Sequence, residues 1–243
     1  AHVTTALVAL ESMAAAIDLL AALRTGLAAL DAVELILPGA VDVVTTHVGA
    51  ACPVAPAPVH LLVECADHSD TTDDLVALLA RAEGVVDSAI ATDATARQAL
   101  VDRRDRITES IAAEATRVGT PTYKLDVAVP VGALEPLLAA AEDAATLAGG
   151  RLVAFGHLAE GNVHLNYLDV VDGAPIAARV LPAVAEFGGT ISAEHGVGVA
   201  KSAWMPLVRT TAELDAARAL RRALDPRHTM NPGVLEPPAD GAA

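Results

Sequence analysis

Residues 151–169 constrain the fold of this 243-residue chain more than any other stretch. They hold two strand-like runs, 151–155 and 163–169. Parallel strands need a crossover of about a dozen residues or more, so runs this close pair only as an antiparallel hairpin. With residues 158–161 as the turn, His157 pairs with Asn162. The run Val163-His164-Leu165-Asn166-Tyr167 then alternates, its apolar members taking the core face and its polar members the other. His157, Asn162, His164 and Asn166 come to share that polar face. His164 is a diagonal neighbour of His157, at about 7–8 Å between Cα atoms, close enough for two imidazoles to meet one ion.

The hairpin selects the fold class. It favours an α+β fold, an antiparallel sheet with ferredoxin-like units flanked by helices, over a doubly wound parallel sheet. Helical spacing (Met13, Ala16, Leu19, Leu20, Leu23, Leu27) predicts a helix over residues 4–29, with the part through Leu10 open to an extended reading. Further helices are expected at 70–82, 92–116, 131–148, 176–187 and 211–224. Strands are expected at 60–65, 85–91 and 123–129. The apolar run 33–37, closed by Pro38-Gly39, reads as a strand or a helix end, and residues from 232 onward read as a tail. No G-x-G-x-x-G follows a strand and no Walker A sequence is present, so a nucleotide site of either kind is not expected.

Composition narrows the partners. Hydrophobic residues make up 53% and aromatics 2%, so the core is built from Ala, Val and Leu. A net charge of −15 argues against nucleic acid, because phosphates need a basic stripe. Cys52 and Cys65 are too few for a disulfide framework or a thiolate zinc site, and read as ordinary thiols. There is no run of about 18 uncharged apolar residues, so no membrane span is expected. No basic segment followed by an apolar one stands at the start, so the expected compartment is the cytoplasm, with membrane association at most peripheral.

Downstream of the hairpin comes Ser192-Ala193-Glu194-His195-Gly196-Val197-Gly198. Two histidines and a carboxylate with one open position form a recognised catalytic zinc arrangement. Glu194 is the natural third ligand beside His157 and His164, with His195 pointing elsewhere as a base. The plainer alternative makes His157 and His164 hydrogen-bonding residues at the core edge.

The motifs go further. Gly156–Asn166 resembles the G-H-x-G-D-G-N-x-H-x-N signature of the FAD-linked oxidase family, in its D-lactate dehydrogenase, D-2-hydroxyglutarate dehydrogenase and glycolate oxidase flavoprotein-subunit branch. Ser192–Gly198 is similar to that family's S-x-E-H-G-x-G. Leu224-Asp225-Pro226 with Met230-Asn231-Pro232-Gly233 resembles its L-D-P…M-N-P-G. Arg104-Asp105-Arg106-Ile107-Thr108-Glu109 and Tyr123-Lys124-Leu125-Asp126-Val127 resemble two further segments. Ala159 and Glu160 depart from the usual Gly and Asp, and Ala128 from a usual Ser.

The resemblance implies a substrate- and metal-binding domain over residues 1–235, a flexible tail at 236–243, and an N-terminal FAD-binding domain that this chain lacks. It implies that His157, His164 and Glu194 hold a divalent metal, zinc first, and that His195 is the general base. Arg104, Thr108, Lys124 and Asn166 would bind substrate, and Asn231 would approach the cofactor. The implied reaction is FAD-dependent oxidation of a small D-2-hydroxy acid to a 2-oxo acid. A hydroxy acid that chelates the metal loses its hydroxyl proton more easily, and the planar Arg104 fork suits a carboxylate. The implied partners are the substrate, the flavin domain and a second copy in a homodimer, through the face the missing domain leaves open. The alternatives are a stand-alone metal-dependent hydrolase and a non-catalytic binding module.

Overall fold

The computed structural model describes residues 2–27 and 29–234. Strands β1 (His2–Leu10), β2 (Leu30–Ile36), β3 (Val59–Asp67), β4 (Val85–Ile90), β5 (Tyr123–Ala128), β6 (Arg151–His157) and β7 (Asn162–Leu168) form one antiparallel sheet. Its order is β4-β1-β3-β2-β6-β7-β5. Helices α1 (Met13–Gly26), α2 (Pro38–Val48), α3 (Thr72–Leu79), α4 (Ala94–Asp105), α5 (Ile107–Val118), α6 (Leu134–Leu147), α7 (Ala174–Glu186) and α8 (Thr211–Leu224) complete the α+β fold.

Two split βαββαβ units stand edge to edge. In the first, β1, α1, β2, β3, α3 and β4 give the spatial order 4-1-3-2, with α2 inserted between β2 and β3. In the second, β5, α6, β6, β7 and α7 repeat the pattern, and a bridge from Thr190 to Ala128 marks the place of a fourth strand. The units join where β2 pairs β6, through Glu34↔His157, Leu35↔Gly156 and Ile36↔Phe155.

Helices cover both faces. Leu19 and Leu23 of α1, Leu75 of α3, Leu137 of α6 and Val180 of α7 pack on one, against Val8, Leu61, Leu165 and Tyr167. Val44 of α2, Leu100 of α4 and Ile111 of α5 pack on the other, against Leu7, Leu62 and Phe155. Each fully buried aliphatic of this kind contributes about 1.5–3 kcal/mol, and their number replaces the missing aromatics. Cys65 lies in this core as a free thiol, and burial, helped by nearby Asp31 and Glu64, pushes it up to about 11.

Three element boundaries differ from the sequence expectation. Over 4–29 the part through Leu10 takes the extended alternative, as a strand, and the helix starts only at Met13, where the Ser12 side chain accepts from Ala15 N and caps it. Thr4–Leu10 is buried throughout because helices cover both sides of β1, and a strand buried on both sides loses its alternation. Pro38 opens a helix instead of closing the preceding run, since proline at the first helical position gives up an amide that has no partner there anyway. The single helix over 92–116 is two, divided at Arg106, and its start is capped by Asp93 accepting from Ala96 N. The tail at 236–243 lies outside the described residues. Among the described residues, no helix is long and apolar enough to cross a membrane.

Candidate active site

The hairpin has the expected register: His157 pairs Asn162, Phe155 pairs His164, and Val153 pairs Asn166. On the far side β5 sets Asp126 against His164 and Lys124 against Asn166. One face of three strands therefore carries Lys124, Asp126, Phe155, His157, His164 and Asn166. The turn is a single 3-10 turn, Leu158–Glu160, closed by Gly161 at φ +66. A Cβ at Gly161 would run into the Val129 carbonyl oxygen, and one at Gly156 into the Asn162 carbonyl oxygen. The two histidine rings meet edge to face with centroids 5.5 Å apart.

Glu194 and His195 arrive on the segment after α7, and Asp126 fixes them. Its carboxylate accepts from Glu194 N at 2.7 Å, His195 N at 3.1 Å and Asn162 Nδ2 at 2.9 Å. Burial alone would raise the Asp126 carboxyl, but these three donors hold it below the usual range. The half-buried Lys201 donates to Asp126 O at 2.9 Å and Ile191 O at 2.6 Å, tying the segment to β5 from behind. Burial pushes its amine down, against the pull of Asp126.

One ligand atom each from His157, His164 and Glu194 lies within 4.8 Å of the others. His157 Nε2 is 3.4 Å from Glu194 Oε1. The donor set suits a divalent cation on two further counts. His157 Nδ1 is 2.7 Å from Glu34 Oε1, which assigns the proton to Nδ1 and leaves the Nε2 lone pair for the site. Burial pushes His164 down, outweighing the attraction of Asp126 and Glu194, and so favours the neutral imidazole that ligates metals. His164 Nδ1 approaches Asp126 Oδ1 at 3.2 Å without the alignment of a hydrogen bond.

Arg104, Thr108, Lys124, Asn166 and His195 line one cavity of about 590 Å³ together with His157, His164 and Glu194. Arg104 donates through Nε to Glu34 Oε2 at 2.6 Å and lies 4.9 Å over the Phe155 ring. Thr108 and Lys124 are exposed; Asn166 is buried, with its amide nitrogen 3.2 Å from both Val153 O and His164 O. His195 stacks on His164 at 5.9 Å, and its side chain is 70% exposed, open to a ligand entering the cavity. A second cavity of about 630 Å³ shares Glu34, His157 and Glu194 and opens beside them. Asn231 is not brought to the cavity: it sits at φ +44, and its carbonyl accepts from Arg221 Nη2 at 2.8 Å.

Glu34, Asp126 and Lys201 were not singled out from the sequence. The available signal was a carboxylate flanked on both sides by apolar residues within a strand, Val33-Glu34-Leu35-Ile36 and Leu125-Asp126-Val127. Such a residue is costly to bury unless something pairs with it.

A three-layer α+β domain with two histidines and a carboxylate beside a cation-lined cavity defines the class. The chain belongs to the family of FAD linked oxidases, C-terminal domain, whose pattern matches residues 1–235. It is 32% identical to a D-2-hydroxyglutarate dehydrogenase of Xanthomonas citri pv. viticola, over 94% of this chain and 50% of that one. It is 29% identical to the mitochondrial D-2-hydroxyglutarate dehydrogenase of Bos taurus, over 86% of this chain and 39% of the relative. For that of Danio rerio the identity is 27%, over 84% and 39%. The chain thus spans half or less of the length of these relatives. Among solved structures it resembles p-cresol methylhydroxylase with substrate bound, at TM-score 0.65 and 10% identity, over 96% of this chain and 52% of that one. The isoeugenol complex of 4-ethylphenol oxidase from Gulosibacter chungangensis gives 0.63 and 14%, over 97% and 54%. At these identities the likeness is one of fold.

Proposed function

We propose that this chain is the substrate- and metal-binding part of an FAD-dependent dehydrogenase that oxidises a D-2-hydroxy acid to a 2-oxo acid. One observation carries the reading: the donors of His157, His164 and Glu194 converge in the same cavity as Arg104, Lys124 and His195. His157, His164 and Glu194 would hold a divalent cation, zinc by donor type, which supplies Lewis-acid polarisation of the substrate oxygens when bound. FAD, held by a domain outside this chain, supplies the hydride acceptor.

The chain's own groups divide the remaining work. Arg104 offers a planar fork to one carboxylate, and Lys124 offers a second cation to another. Two cations in one cavity suit a dicarboxylate such as D-2-hydroxyglutarate, the substrate in the relatives' names. Thr108 adds a hydroxyl, and the Asn166 side-chain oxygen orients the substrate hydroxyl. His195, neutral, takes the hydroxyl proton at a ring nitrogen, which makes hydride departure from the α-carbon easier. Asn231, away from the cavity, is a contact on the flavin side in this scheme. Association into a homodimer and residence in the cytoplasm belong to the same proposal, tested by light scattering and by cell fractionation. No observation favours a hydrolase or a non-catalytic module.

The test is equilibrium dialysis followed by calorimetry. The chain should take up about one equivalent of zinc, and His157→Ala or His164→Ala should abolish uptake. The zinc-loaded chain should bind D-2-hydroxyglutarate in preference to its L enantiomer. Absence of zinc uptake, or uptake unchanged in both variants, refutes the site.

A further inference from the structure

Glu34 makes polar contact with both parts of this chemistry. Its Oε1 lies 2.7 Å from His157 Nδ1, and its Oε2 lies 2.6 Å from Arg104 Nε. It sits on β2 directly across from His157 on β6, in the three-pair junction that joins the two sheet units. Its side chain is 15% exposed, on a strand whose neighbours Val33, Leu35 and Ile36 are all core. A carboxylate is costly there unless it is paired.

We propose that Glu34 is a positioning residue that sets the cation site and the carboxylate-binding site together. Through Oε1 it holds His157 as the Nδ1–H tautomer, with Nε2 presented to the ion. Through Oε2 it anchors Arg104 by Nε alone, which leaves the outer guanidinium nitrogens for a substrate carboxylate. A carboxylate behind a ligating imidazole also raises the basicity of the ligand and fixes its ring. The plainer role, a counter-ion for Arg104, accounts for Oε2 but not for Oε1. The inference rests on the metal-site reading above.

The experiment uses this chain, Glu34→Gln and Glu34→Ala, each stripped of metal. Long-range proton–nitrogen NMR reads the His157 tautomer, and competition with a chelator reads zinc affinity. The wild type should show the Nδ1–H form. Glu34→Ala should lose that preference and bind zinc more weakly by about 100-fold. Glu34→Gln keeps an acceptor but not the charge, so it should retain the tautomer and lose affinity by about tenfold. If Glu34→Ala does not fold, as read by circular dichroism, Glu34→Gln decides by the same measurements. Wild-type zinc affinity in the folded variants overturns the role of Glu34 and leaves the three ligands standing. No zinc uptake by the wild type overturns both.

Discussion

Replacing Asp126 by Ala removes the acceptor that holds the Glu194-His195 segment to the sheet, and the structure sets the size of the loss. Asp126 is 4% exposed and receives three N–H donors. Asn162 is 3% exposed, so its amide cannot turn to water; it does keep a second acceptor, Val127 O at 3.0 Å. The Glu194 and His195 side chains are 50% and 70% exposed, so their backbone donors can regain water once the segment loosens. Charging about 1 kcal/mol for each donor, below the range of about 1.5–3 for bonds to a charged group because each donor keeps or regains a partner, gives about 3 kcal/mol in all. For a chain of this size that corresponds to a fall of about 6–12 °C in Tm. Asp126→Asn should fall less, because its remaining oxygen still serves the two backbone donors while its amide faces Asn162. Differential scanning calorimetry of metal-free protein reads both numbers. An Asp126→Ala variant that melts within about 2 °C of the wild type refutes the reasoning, since the segment would then be held by something else.

Gly156→Ala should cost about 1–3 kcal/mol or more, because the added Cβ meets backbone of β7 with no flexible side chain to give way. Zinc uptake should fall with it, as the adjacent His157 is displaced; a variant with wild-type melting and zinc affinity would show that β6 and β7 tolerate a side chain there. His60 gives a pH test: it is 2% exposed, with Nε2 3.2 Å from Ala55 O, and burial lowers it from its ordinary value of 6.5. The unfolded chain takes up a proton near pH 6.5 that the folded chain resists, so wild-type stability falls as pH drops through that value and levels off below the folded one. His60→Gln lacks this contribution, so in chelator its Tm should fall less than the wild type's between about pH 7.5 and 5.5; parallel curves would mean that the folded protein protonates His60 freely.

What the sequence disclosed follows from the range of the interactions involved. The hairpin register was legible because it depends on a local alternation, Val163 to Tyr167, and a short turn. The second helix, Pro38–Val48, was not, because Pro-Gly marks a helix start as readily as an end and only the packing of Val43 and Val44 decides. β1 stayed open between helix and strand because burial on both sides erased its period of two. The three proposed ligand residues and the five others around the cavity follow from motifs, and the fold brings all eight to one cavity. Glu34 escaped notice because its partner His157 lies 123 residues further on, and nothing in Val33–Ile36 says which strand will stand beside it. The role of Asp126 is not legible locally, since two of its donors are backbone amides 68 and 69 residues away.

The pairing of β2 with β6 is the shortest in the sheet, three residue pairs against five or more elsewhere. The first βαββαβ unit is topologically whole and the second lacks only a full fourth strand, yet neither owns a full set of working groups. Glu34 belongs to the first unit and Arg104 to α4 between the two, while His157, His164 and Glu194 come from the second. The molecule is thus built like a two-part mould whose cavity exists only while the parts stay closed. A ligand held from both sides acts as a rivet across the joint, and the free energy it gains in binding returns as resistance to the parting of the sheet, growing with its concentration relative to Kd.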